Sequence, residues 1–155
     1  SGQHYAYQTP ADNSYSKSPL DVPSATFPEK ASEFEAQTAI GGGPVLINKG
    51  KIVDTWKEEL FEVGGVEPAS SQPRTAVGVT SDKKMIMFVC EGRNMTEGVK
   101  GMTTAEVAEI LKDLGCVEAI NLDGGGSTCM LVNGKETIKV SDGAQRAVAS
   151  AVYFK

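Results

Sequence analysis

Apolar residues come in short bursts along this chain, and from position 74 onward the bursts are regular enough to assign. "RTAVGVT" and "KKMIMFVCE" are rich in β-branched and large apolar residues, and the Ser81-Asp82 turn between them predicts two strands. "TTAEVAEILKDLG" changes to helical spacing, with Val107, Ala108, Leu111 and Leu114 on one face. Thr103 can cap that helix with Glu106 three positions on, and Gly115 sits where a helix ends, giving one helix at about 103–114. "VEAINL" predicts a strand and "STCMLVN" another, turning at Asn133-Gly134 into "KETIKV". "AVASAVYF" predicts a last strand.

Upstream, "PVLINKGKIV" predicts two strands around a tight Asn48–Gly50 turn. "EKASEFEAQTAI" predicts a short helix stopped by Gly41-Gly42-Gly43-Pro44, and "WKEELFEVGGVEPASSQP" a surface excursion. Four of the seven prolines fall in the first 30 residues, which show little periodicity and predict irregular chain. The expected fold class is α+β, a mixed central β-sheet flanked by helix. Residues 1–37 form an irregular arm or the remnant of a larger chain, and residues 38–155 form the domain.

The 155 residues make one domain by length, and the net charge of −5 disfavours nucleic acid and anionic membrane as partners. No apolar run reaches the ~18 residues of a membrane span. "SGQHYAYQTP" is not a signal peptide, and a targeting segment could have preceded it. Cys90, Cys116 and Cys129 lack metal spacing and read as free thiols. His4, the one histidine, stands in the arm, so zinc hydrolysis and a Ser–His nucleophile are disfavoured.

Three constellations carry candidate chemistry. In "NLDGGGSTCM", Asp123 closes an apolar run and Gly124, Gly125 and Gly126 follow. The run reads either as a plain tight turn or as a place where bare backbone N–H groups approach an anion. It is not a P-loop, since no Lys follows and a strand is expected next. Second, three of the 15 basic residues are arginine, and Arg74, Arg93 and Arg146 all stand at strand boundaries. A guanidinium fork suits phosphate or carboxylate, although structural ion pairs are the competing reading. Third, Glu91 and Asp123 each end an apolar strand. If those strands are parallel neighbours, both carboxyl groups reach one sheet edge and could share the work on a glycosidic bond; a single acid with a structural partner is the alternative. Asp123 and Asn121 could hold Mg²⁺ or Ca²⁺ through oxygen atoms, but the sequence requires no cofactor.

"GGGPVLINKGKI", "PRTAVGVT", the stretch from "EGRNMTEGVKGM" through "NLDGGGSTCMLVNGK", and the terminal "QRAVASAVYF" together resemble the phosphodiester glycosidase family across roughly residues 38–155. The resemblance implies a hydrolase that removes an α-linked sugar from a sugar-1-phosphodiester. It implies catalytic roles for Asp123, Glu91 and Arg74. Substrate contacts would come from Arg93, Arg146, Asn121, Thr75, Gly124, Gly125, Gly126, Ser127 and Thr128, with no metal ligand assigned. The family's upstream Asn-Gly-x-Phe-Phe-like motif has no counterpart here, Glu91 stands where Asp is common, and Ala147 replaces a usual proline. The domain is therefore expected to be the C-terminal part of a larger one, paired with a missing N-terminal segment. A secreted or periplasmic bacterial setting is expected, with a phosphodiester-bearing small molecule or glycan as partner. The alternative is a non-catalytic module that binds anionic cell-wall glycans.

Overall fold

The computed structural model describes residues 32–59, 61 and 65–154, together with the backbone of Tyr5–Ala6. Most of residues 1–37, where an irregular arm was expected, and His4 lie outside the described residues. Strands β1 (Tyr5–Ala6) and β2 (Ser32–Glu33) form a small antiparallel pair. The main sheet contains β3 (Val45–Asn48), β4 (Lys51–Ile52), β5 (Arg74–Thr80), β6 (Met85–Cys90) and β7 (Cys116–Asn121). Helix α1 spans Thr104–Asp113, and β8 (Leu131–Val132) and β9 (Lys135–Glu136) form a separate hairpin. The fold is α+β, with a central sheet and, among the described residues, one flanking α-helix.

The sheet order is β4-β3-β7-β5-β6, and each neighbouring pair is antiparallel. The expected parallel adjacency of the strands that end at Glu91 and Asp123 is therefore not found. β5 lies between β6 and β7 and opposes both, so those two strands still run in the same direction and end at the same rim. Only the shared rim survives, with Arg74 at the start of β5 standing between the two strand ends.

Helix α1 forms where the spacing put it. Thr103 Oγ1 accepts from the Glu106 N–H, and the Glu106 carboxylate accepts from the Thr103 N–H at 2.7 Å. This reciprocal cap satisfies two donors that a helix N-terminus otherwise leaves open. Val107, Ala108 and Leu111 turn inward onto Leu46, Ile47, Ala76, Cys116 and Ala119. Each large aliphatic side chain buried this way contributes about 1.5–3 kcal/mol. At the β3–β4 hairpin, Lys49 and Gly50 both take positive φ, as a tight two-residue turn requires.

Three local expectations fail. Residues 34–40, expected to continue a helix, are exposed and irregular after the short β2. An isolated amphipathic segment needs a surface to bury its apolar face, and among the described residues none covers this one. After the glycine run the chain makes a 3₁₀ turn over Gly125–Ser127 and pairs only at Leu131–Val132, so "STCMLVN" is mostly not a strand. "AVASAVYF" pairs with no strand among the described residues, and Tyr153 and Phe154 are exposed. Strand-forming composition does not make a strand without a ladder partner. The three cysteines are free, with Cys116 buried and the other two half-buried.

Candidate functional site

The antiparallel order gathers the starts of β3 and β5 and the ends of β6 and β7 on one rim. Gly43 N donates to Asn121 O at 2.7 Å, and Leu122 N donates to Thr75 O at 2.8 Å, so β7 leaves the sheet stitched on both sides. A cavity of about 500 Å³ opens at this rim. That volume lies in the ~300–1,000 Å³ range of small-molecule sites. It is lined by Gly41–Gly43, Phe61, Glu67, Gln72 and the segment from Asn121 to Gly126. Arg74, Arg93 and Arg146 all contribute to the wall.

The glycine corner crosses the start of β5. Gly125 N donates to Pro73 O at 2.9 Å, and Ser127 N donates to Gly124 O at 3.0 Å. Gly125 takes φ +58, and a Cβ there would stand 2.9 Å from Arg93 Nη2. A Cβ on Gly126 would collide with both Arg146 and Asp142. At Gly125 and Gly126 guanidinium groups occupy the space of a side chain, and at Gly124 the Pro73 carbonyl does, 2.8 Å from where a Cβ would stand. Among the described residues nothing accepts from the N–H groups of Asp123 and Gly124.

The three arginines divide into two kinds. Arg74 is buried, and its guanidinium donates to four backbone carbonyls: Met102 at 2.8 Å, Val66 at 2.7 Å, Glu67 at 2.7 Å and Ser70 at 2.8 Å. Burial lowers its pKa, and the carbonyl dipoles compensate the desolvated charge. Its donors are committed to holding the loop at 66–70 against the strand ends. Arg93 and Arg146 are half exposed and face the corner. Arg93 Nε donates to Gln72 Oε1 at 3.1 Å, and Gln72 Nε2 donates to Glu67 Oε2 at 2.8 Å. That relay fixes both the amide and the guanidinium. Asp142 accepts from Arg146 Nε at 2.9 Å and Nη2 at 2.5 Å, and its other oxygen lies 3.7 Å from Arg93 Nη1.

The acids also separate. Asp123 is exposed on the cavity wall, and its carboxylate has no partner among the described residues. Glu91 is not part of the wall. Its carboxylate accepts from Lys139 N at 2.8 Å, and that bond together with one from Thr96 lowers its pKa. Glu67, in a loop at positive φ, does line the cavity. Asn121 is buried, and its Nδ2 donates to Gly43 O and Leu122 O, both at 2.9 Å. Thr75 Oγ1 donates to the buried Thr128 Oγ1 at 3.3 Å behind the wall, and Ser127 is likewise not part of the cavity lining.

Arg74, Arg93, Arg146, Asn121, Asp123 and the three glycines thus come together, while Glu91, Thr75, Ser127 and Thr128 do not line the cavity. Glu67, Gln72 and Asp142 were missed. Asp142 had a faint signal, four positions before Arg146; Glu67 and Gln72 had none, because they lie in an aperiodic loop. Among the described residues no group of three or more His, Cys, Asp or Glu side chains could hold a metal ion.

The family model for phosphodiester glycosidases matches residues 11–155. The chain belongs to the phosphodiester glycosidase family. Among its curated relatives, N-acetylglucosamine-1-phosphodiester α-N-acetylglucosaminidase of Mus musculus is 34% identical over 108 residues, 68% of this chain and 20% of the relative. The Homo sapiens protein of the same name is 31% identical over the same share of each chain. An uncharacterised prophage-derived protein of Bacillus subtilis is 35% identical over 80 residues, 52% of this chain and 12% of its own length. The chain therefore spans about a fifth or less of these relatives. Among solved structures, the zebrafish N-acetylglucosamine-1-phosphodiester α-N-acetylglucosaminidase catalytic domain, auto-inhibited by its pro-peptide, superposes with TM-score 0.56 at 34% identity, over 66% of this chain and 34% of that one. A hypothetical protein from Synechocystis superposes with TM-score 0.57 at 31% identity, over 68% and 19%.

Proposed function

We propose that this cavity binds a sugar-1-phosphodiester and serves hydrolysis of its glycosidic bond, releasing the free sugar and leaving a phosphomonoester. The observation that carries the proposal is the pair of half-exposed guanidiniums, Arg93 and Arg146, pressed against a corner without side chains beside the unpartnered Asp123 carboxylate. Family membership supports the substrate class. The arginines and the open N–H groups of the corner would hold the phosphodiester oxygens.

The departing phosphate is a good leaving group once its growing charge is met, so the guanidiniums supply the main stabilisation. Asp123 is assigned the proton transfer, taking a proton from the water that attacks the sugar carbon or giving one to the phosphate oxygen that departs from it. The second carboxylate role passes to Glu67, which fronts the cavity, rather than Glu91, which braces Lys139. Arg74 is assigned to positioning, because it holds the backbone on which Glu67 sits. Asn121 would fix the strand end that presents Asp123. A secreted or periplasmic setting fits the same proposal.

The test is Asp123→Asn assayed for reducing-sugar release from N-acetylglucosamine-1-phosphodiesters and nucleotide sugars. Loss of turnover by about 10²-fold or more, with an unchanged melting temperature, is expected for a general acid/base. Unchanged turnover overturns the assignment. Because the chain spans so small a share of its relatives, a second reading is kept, a binding module for anionic glycans. Ligand-induced thermal stabilisation without sugar release favours that reading.

A further inference from the structure

We propose that Asp142 is a specificity-determining residue that tunes the arginine clamp for a singly charged phosphodiester and against a doubly charged phosphomonoester. The inference rests on the reading of Arg93 and Arg146 as an anion clamp. Asp142 Oδ2 accepts from Arg146 Nε at 2.9 Å and Nη2 at 2.5 Å, while Oδ1 lies 3.7 Å from Arg93 Nη1. One carboxylate therefore spans both guanidiniums above the Gly126 backbone, where even a methyl group would strike it. Arg93 Nη2 and Arg146 Nη1 have no partner among the described residues and stay open to a ligand.

The charge balance decides what that ligand is. Two guanidiniums offset by one carboxylate leave a net +1, which matches a phosphodiester monoanion. A phosphomonoester carries about −1.5 to −2 at neutral pH. The remaining charged groups of the wall, Glu67, Arg74 and Asp123, add a further net −1, so nothing else compensates a second negative charge. In the proposed reaction the substrate is the monoanion and the retained phosphate product becomes the dianion. A clamp without Asp142 would hold the product more tightly than the substrate. With Asp142 in place, some stabilisation of the departing phosphate is given up in exchange for product release.

The experiment compares two probes, dimethyl phosphate (monoanion) and methyl phosphate (dianion at pH 8), titrated into the 155-residue chain and followed by the amide resonances of Gly124–Gly126. The readout is the ratio of the two dissociation constants. Any positional slackening of the arginines weakens both probes together and leaves the ratio alone, whereas removal of a negative charge favours the dianion. Asp142→Asn is expected to shift the ratio toward methyl phosphate by about fivefold, the scale of one unit-charge contact at an exposed position. Asp142→Glu is expected to keep the wild-type ratio. Asp142→Ser is a second neutral variant should the first fail to fold.

An unchanged ratio in the neutral variants overturns the proposal while leaving the clamp intact. If neither probe perturbs the corner in the wild-type chain, or if both still bind with Arg93→Gln and Arg146→Gln combined, the clamp reading fails and this proposal fails with it.

Discussion

At the scale of single residues, the site separates two uses of arginine that a sequence cannot tell apart. Arg74 gives its donors to four carbonyls and sits at 2% exposure, while Arg93 and Arg146, beside bare backbone, each keep a donor with no partner among the described residues. Lysine can imitate the charge of either but not the planar fork. Arg74→Lys is expected to destabilise the chain by about 2–4 kcal/mol, because carbonyls oriented toward a guanidinium lose their donors. Arg93→Lys is expected to change stability by less than about 1 kcal/mol, its contacts being half exposed, yet to weaken phosphate binding about tenfold. Chemical denaturation and phosphate titration of the two variants check the contrast; equal effects on stability would refute the division of labour. Position at a strand boundary was readable for Arg74 and, just past β6, for Arg93, whereas Arg146 borders no strand among the described residues. Commitment was readable for none of them, since for Arg74 it depends on the loop at residues 66–70 folding back over it.

At the scale of elements, legibility followed the range of the interactions. The capping box of α1 is local, with both partners within four residues, and Thr103 and Glu106 declared it. The β3–β4 turn is local too. The terminal "AVASAVYF" was not legible because its alternation describes a surface seeking a neighbour, and the neighbour is not in the segment. Glu91 shows the same limit. Its place at the end of β6 was foreseen, but its partner Lys139 lies 48 positions on, so the bond that draws its carboxylate to that backbone was not legible. Hydrogen bonding depresses the Glu91 pKa, so its contribution is present above the ordinary carboxylate range of about 4.3 and is lost as pH falls through the lowered value. Glu91→Gln is accordingly expected to narrow the stability gap between pH 7 and pH 3, with phosphate binding retained. Melting curves at the two pH values decide it, and an unaltered gap counts against the brace.

At the scale of the whole molecule, one helix secures the sheet that sets the rim. Leu111 is fully buried among residues of β3, β5 and β7, the strands whose ends carry the site. Leu111→Ala is expected to cost about 2–5 kcal/mol through lost burial and a residual cavity. Because the same strands position the corner, the loss should appear at once in anion binding and in global unfolding. Coincident transitions followed by amide resonances of the corner and by far-UV circular dichroism are the check, and a corner that melts separately argues against a shared core. No helix among the described residues is long and apolar enough to cross a membrane.

The crowding around Gly126 limits how such a pocket can be re-engineered. Since even the smallest added substituent there would displace a guanidinium and its counter-ion together, the floor of the recess is effectively frozen. Altered ligand preference would have to be written into the flanking segments around Gln72 and Asp142, making those the rational targets for a directed library.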